Sequence, residues 1–163
     1  MIERQAGRDL TQPELRAIVE RLAEQPELWS HLVQHDSEQR NYVQLERDSH
    51  LDLWLICWSP EHDTGYHDHD LSAGAVAVLE GAVREERLLL GPSPAARTFR
   101  AGSVFDFAAQ DIHRVSHAGD GPAVTLHAYS PPLWRMGAYL VEPDGALRRQ
   151  SISYAEELRP ITA

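Results

Sequence analysis

In "GYHDHDLSAGAVAVLEG", Gly65 to Gly81, two histidines alternate with two aspartates, and a run of small and aliphatic residues then leads to a glycine. The run "AGAVAVLE" is short, valine-rich and bounded by turn residues, which favours a strand over a helix. Residues two apart on a strand point the same way, so His67 and His69 project together while Asp68 projects to the other face. Taken alone, this pair fits either two metal ligands or a polar loop.

The surroundings repeat the strand pattern. "HLDLWLICW", "AVREERLLLG", "GSVFDFAA", "DIHRVSH", "PAVTLHAYS", "MGAYLVEPDG" and "GALRRQSISY" are further short runs rich in Val, Leu, Ile and aromatics. Turn signals such as "AGDGP" and "EPDGA" separate them, because Asp-Gly supports tight turns that other residues resist. Before Asn41 the period is helical. "LTQPELRAIVERLAEQ" opens with a Thr11/Glu14 capping box and places Leu15, Ile18, Val19 and Leu22 on one face, and "PELWSHLVQH" predicts a second short helix. The expectation is an all-β, antiparallel jelly-roll barrel with a short N-terminal helical cap. Residues 1–36 form the cap and 37–163 the barrel, in one domain.

Composition narrows the partners. The chain has 163 residues and a formal charge of -10, the wrong sign for holding a phosphate backbone, so nucleic acid is not expected. No run approaches the ~18 apolar residues of a membrane span and the first residues lack an apolar leader core. A soluble, cytoplasmic protein, monomeric or weakly self-associating, is expected. The one cysteine, Cys57, excludes an internal disulfide and a thiolate-cluster metal site, and its apolar setting in "LWLICWSP" reads as a buried thiol. Metal chemistry must come from histidine and carboxylate.

A second segment, "GSVFDFAAQDIHRVSH" (Gly102 to His117), puts His113 on another expected strand. Inward positions of separate strands converge in a barrel, so His113 can join His67 and His69. Three imidazoles on rigid strands suit a first-row divalent metal. The acidic run "REER" reads as a solvated strand face, and His31, His35, His50, His62 and His117 as surface or supporting groups. Asp68 and Asp70 are candidates to orient the imidazoles through their second ring nitrogens.

These two segments resemble the paired motifs of the cupin superfamily, with departures. Glu61 stands where a glycine normally precedes the first pair. The usual glutamate after H-x-H is absent from Leu71 to Gly74. Ala108, Gln110 and His117 replace the proline, glycine and asparagine of the second motif. An all-histidine site leaves a divalent metal its full formal charge, which suits an anionic soft ligand such as a thiolate.

A third segment, "PAVTLHAYSPPL", sets Thr125, His127 and Tyr129 on one face of a strand. With "HDH" and "HRV" before it, the order resembles the thiol dioxygenases of the cysteine dioxygenase family, from about Tyr42 to Pro132, and the bacterial members in particular. The resemblance implies a ferrous site held by His67, His69 and His113. It implies a catalytic group of Tyr129, His127 and Thr125, with threonine in place of the family's serine, and Trp58 in the substrate pocket. It also implies that a small thiol and dioxygen are the substrates, with a sulfinic acid as product. Gly74 stands where mammalian members have the cysteine that is crosslinked to the tyrosine, so Tyr129 should stay unmodified.

The substrate anchor departs further. Cysteine-selective members carry Y-x-R ahead of the "CW" strand, where a forked guanidinium holds the carboxylate. In "RNYVQLER", pairing Tyr42 with that tyrosine puts Gln44 at the arginine position, as in the branch that prefers 3-mercaptopropionate. The other register uses Arg40. The sequence alone thus expects a thiol dioxygenase acting on cysteine, 3-mercaptopropionate or a larger thiol such as a thiol-imidazole. Rival readings are a zinc or nickel cupin acting as a Lewis acid and a non-catalytic metal-binding sensor.

Overall fold

The computed structural model describes residues 7–91 and 93–153. After Thr11, helix α1 (Gln12–Ala23) opens as its sequence indicates: the Thr11 amide and hydroxyl both donate to Glu14, each at 2.8 Å. Eleven strands follow: β1 (Asn41–Arg47), β2 (Asp52–Trp58), β3 (His67–Asp68), β4 (Ala73–Glu80), β5 (Ala82–Arg87), β6 (Ala95–Arg100), β7 (Val104–Phe107), β8 (His113–Ala118), β9 (Ala123–Ser130), β10 (Arg135–Val141) and β11 (Leu147–Ser153). They form a five-stranded sheet, β1-β2-β9-β4-β7, and a six-stranded sheet, β11-β10-β3-β8-β5-β6, with antiparallel neighbours throughout. This is the jelly-roll arrangement, two sheets enclosing one core. At Gly81, whose φ of +67° suits glycine, the chain leaves the first sheet as β4 and enters the second as β5.

The five-stranded sheet is buried on both faces, which explains why its strands read as continuous apolar runs. Toward α1 it presents Leu53, Leu55, Ala75, Ala77, Val124, Leu126 and Ala128, which pack with Leu15, Ile18, Val19 and Leu22 of the helix. Burying four such helix side chains contributes roughly 1.5–3 kcal/mol each. Toward the other sheet it presents Ile56, Trp58, Val76, Val78 and Tyr129. That interior holds the site.

Several expectations are corrected. "PELWSHLVQH" forms two 3-10 turns, Pro26–Leu28 and Ser30–Leu32. Trp29 between them turns inward, and its indole donates to the Leu22 carbonyl at 3.2 Å. Ordered strands are also more numerous than the apolar runs. β1 and β6 have mixed, polar sequences because each is an edge strand paired on one side only. Residues 1–6 and 154–163 of the expected cap and barrel, including Tyr154 of the last run, lie outside the described residues. No described helix is long and apolar enough to cross a membrane.

Candidate metal centre

His67 opens β3, His69 follows it, and His113 opens β8; the β3–β8 register sets His67 directly opposite His113. The three rings meet in the interior with centroids 4.7–5.0 Å apart. One candidate ligand nitrogen from each lies within 4.8 Å of the others. All are at most 4 % exposed. Burial, reinforced by the neighbouring histidines, pushes His67 and His69 well below the usual histidine range, so both are neutral imidazoles.

The outer nitrogens set the tautomers. His67 Nδ1 donates to the Gly65 carbonyl at 3.1 Å, and His113 Nδ1 donates to Glu85 Oε1 at 2.8 Å. His113 Nε2 and His69 Nδ1 have no hydrogen-bond partner although they are buried. Buried ring nitrogens without a partner are costly, and a cation among the three rings would satisfy those that face it. The donor set fits a metal, and the group is a metal site.

Glu85 was not expected here. It lies in "REER", yet it is 6 % exposed and shares the inner face of β5 with Val83. The alternation Val83, Glu85 was the available signal. Arg87 Nη2 donates to the same carboxylate at 2.8 Å. Burial alone raises the Glu85 pKa, but the hydrogen bonds from His113 and Arg87 outweigh it and hold the carboxyl below its usual range. Asp68 and Asp70, the expected orienting groups, do not touch the imidazoles: Asp68 points to the opposite face, as its place on β3 dictates. Phe107 was also missed. Its ring stacks on His69 at 4.3 Å, in space that exists because residue 74 is glycine; a Cβ there would overlap the ring. Gly74 pairs directly with Tyr129 across β4 and β9, so the strand facing the phenol offers no side chain for a crosslink.

Thr125, His127 and Tyr129 lie in line on the inner face of β9. Trp58 Nε1 donates to Thr125 Oγ1 at 2.8 Å, Thr125 Oγ1 lies 2.8 Å from His127 Nε2, and His127 Nδ1 lies 3.1 Å from the Tyr129 hydroxyl. Indole is a donor only, so Thr125 accepts from Trp58, and the roles along Thr125, His127 and Tyr129 are set by the His127 tautomer. Burial lowers the His127 pKa to about 3 and keeps the ring neutral. The Tyr129 ring is 5.4 Å from His69.

The model of the family described as "Cysteine dioxygenase type I" matches residues 4–141. The chain belongs to this family. It is 26 % identical over 140 residues to the protein named cysteine dioxygenase type 1 in Homo sapiens, a match covering 78 % of this chain and 68 % of that one. It is 28 % identical over the same length to the Rattus norvegicus protein of that name. Among solved structures, a Thermus thermophilus protein has a TM-score of 0.54 at 20 % identity, over 63 % of this chain and 92 % of its own. A Klebsiella pneumoniae double-stranded β-helix protein scores 0.55 at 12 % identity, over 63 % and 80 %. These two support the fold alone. By family this chain is a thiol dioxygenase.

Beside the three histidines of this family member lies a pocket walled by Ile56, Val76, Phe107, Val115, Leu133 and Met136. Of the residues expected to meet substrate, Arg40, Tyr42 and Trp58 line it and Gln44 does not. Gln44 is exposed, and its side-chain amide donates to Asp52 at 2.9 Å. Arg40 is 9 % exposed, with its guanidinium 5.2 Å from the Trp58 ring centroid and 5.6 Å from that of Tyr42. None of the ion pairs among the described residues uses it. Cys57 faces the helix side of β2, and burial pushes its thiol up, so it plays no part here. His117 Nε2 donates to the Gly121 carbonyl at 2.6 Å, near the surface, and His50 pairs with Asp9.

Proposed function

We propose that the chain is an iron(II)-dependent dioxygenase of a short thiol that carries a carboxylate, converting R–SH and dioxygen to the sulfinic acid R–SO2H. The observation that carries the substrate class is Arg40, a buried guanidinium that lines the pocket of the three histidines and is in none of the close ion pairs among the described residues, its charge acting on Asp63, which is paired with Arg114. A buried cation with no carboxylate in direct contact is costly, and a substrate carboxylate supplies that contact as a fork.

Iron bound by His67, His69 and His113 would supply the redox chemistry that joins dioxygen to the thiolate sulfur. The chain's own residues do the rest. Arg40 orients the carboxylate end, and stacking beside Trp58 and Tyr42 fixes the guanidinium in place. The Trp58–Thr125–His127 chain holds the Tyr129 phenol in place at the pocket beside His69. Phe107, Val76 and Leu133 exclude water.

Oxygen uptake by iron-loaded protein across cysteine, 3-mercaptopropionate and cysteamine tests this. One dioxygen consumed per carboxylate thiol is expected, with cysteamine poor, and Arg40→Ala should raise KM for the carboxylate thiols at least tenfold while Gln44→Ala does not. Equal turnover of cysteamine, or an unchanged KM in Arg40→Ala, refutes the carboxylate assignment.

A further inference from the structure

The segment that carries two of the three ligands is poorly supported by its own backbone. Strand β3 is two residues long, and the residue after His69, Asp70, has a φ of +55°, a left-handed conformation that L side chains rarely adopt. A strand this short does not fix the aim of two imidazoles by its ladder alone.

The missing support is gathered on Asp68, whose side chain points away from the pocket. Its carboxylate is 6 % exposed and accepts five hydrogen bonds. The Asp70 amide donates at 2.9 Å, which closes an Asx turn over the left-handed residue. The Gly137 amide donates at 3.1 Å and the Tyr139 hydroxyl at 2.5 Å, both from β10. Arg149 of β11 supplies the last two as a fork, Nε at 2.8 Å and Nη2 at 2.9 Å. The guanidinium reaches Asp68 by crossing β10 at Gly137. A Cβ on residue 137 would lie 2.6 Å from Asp68 Oδ2 and closer still to Arg149 Nε, so glycine is what leaves the slot open. Arg149 lies beyond residues 4–141, the stretch matched by the family model.

We infer that Arg149, reaching through the Gly137 slot to Asp68, is a positioning residue for the metal centre, fixing His67 and His69 in their ligating geometry from the outer edge of the six-stranded sheet. The inference rests on the reading of His67, His69 and His113 as metal ligands. Asp68 is the anchor: it sits between the two ligands in sequence and on the opposite face in space, so holding its side chain holds the backbone from which both imidazoles project. The fork fixes the orientation of that carboxylate in a way that a single donor cannot. Outer contacts of this kind commonly change metal affinity 10- to 100-fold, on the order of the effect expected here.

The test compares Co(II) and anaerobic Fe(II) affinities, by competition with a chromophoric chelator, of the full chain and of Arg149→Met, Arg149→Lys and Gly137→Ala. Gly137→Ala displaces the fork while leaving both charged residues in place. Roughly 10- to 100-fold weaker binding is expected for Arg149→Met and Gly137→Ala, with partial recovery in Arg149→Lys. In the metal-free proteins, hydrogen exchange should accelerate at the amides of residues 67–70 and not in β8 or β9. Affinities within twofold of the parent in both Arg149→Met and Gly137→Ala overturn the inference, as does exchange that accelerates evenly across the sheet. If Arg149→Met fails to fold, Gly137→Ala and Arg149→Lys decide. A parent chain that binds neither metal overturns the three-histidine reading itself, and the inference falls with it.

Discussion

Replacing Glu85 tests whether a carboxylate outside the ligand set governs the metal centre. In Glu85→Ala the Nδ1–H of His113 loses its acceptor, and with it the contact that fixes the tautomer and leaves Nε2 to ligate. Loss of such a contact typically weakens metal binding 10- to 100-fold, or about 1.4–2.7 kcal/mol at 1.36 kcal/mol per tenfold. The cost to the fold is separate. Removing one member of a buried ion pair costs roughly 3–5 kcal/mol when its partner is left uncompensated. Here Arg87 keeps Asp111 at 3.2 Å and the Asp106 carbonyl at 2.9 Å, so a loss at or below the lower end is expected. Glu85→Gln retains an acceptor oxygen and should fall between the parent and Glu85→Ala in affinity. The measurements are Co(II) affinity by chelator competition and the urea midpoint of the metal-free protein. Because the Glu85 pKa is depressed in the folded state, its contribution to stability is complete above the ordinary carboxylate range and is lost as pH falls below about 4. Unchanged affinity in Glu85→Ala, with only a lower urea midpoint, would refute a role for this carboxylate at the metal.

The pH response of the whole metal-free fold follows from the buried histidines. His67, His69 and His127 are kept neutral, so between about 6.5 and 3 the unfolded chain binds protons that the folded chain does not, and stability should decline as pH falls; a urea midpoint that is flat from pH 7 to 5 would contradict this. Gly74→Cys should not acquire a thioether to Tyr129, because Phe107 occupies the space of the new side chain, and overpacking should cost roughly 1–3 kcal/mol; intact mass and thermal melting report both effects. Leu15→Ala, under the helix, should cost about 2–5 kcal/mol in stability, and Co(II) affinity of the protein that remains folded should stay at the parent value.

The ligand set was legible because the H-x-H spacing carries its own geometry: a period of two places both rings on one side wherever the segment is extended. His113, Thr125, His127 and Tyr129 were legible for the same reason, each lying on an apolar strand bounded by turns. Glu85 was misread because charge was weighed before alternation; in "AVREER" the same period that marks Val83 as inward also marks Glu85. The preferred register, with Gln44 at the anchor, is corrected: Arg40 lines the pocket and Gln44 does not, because the spacing does not encode the bulge between Gln44 and Glu46 or the Asp52 carboxylate that engages Gln44. Strand β3 could not be recognised as a strand from its two residues, since β8 and β10 hold it in place. Edge strands β1 and β6 lack an apolar run because half of each strand's pairing groups face no neighbour. The "PELWSHLVQH" helix failed at Trp29, whose inward turn satisfies an indole donor that a continuous helix would have pointed elsewhere.

Strand β9 is shared by two compartments. Its odd positions, Thr125, His127 and Tyr129, serve the metal pocket, and its even positions, Val124, Leu126 and Ala128, serve the helix. A slip of one residue in its pairing with β2 or β4 would deliver aliphatic groups to the metal and press a phenol, an imidazole and a hydroxyl against Leu15 and Val19. The helix therefore acts as a proofreader of the strand's register: by packing against the aliphatic set, it disfavours an arrangement in which the polar set faces the wrong way.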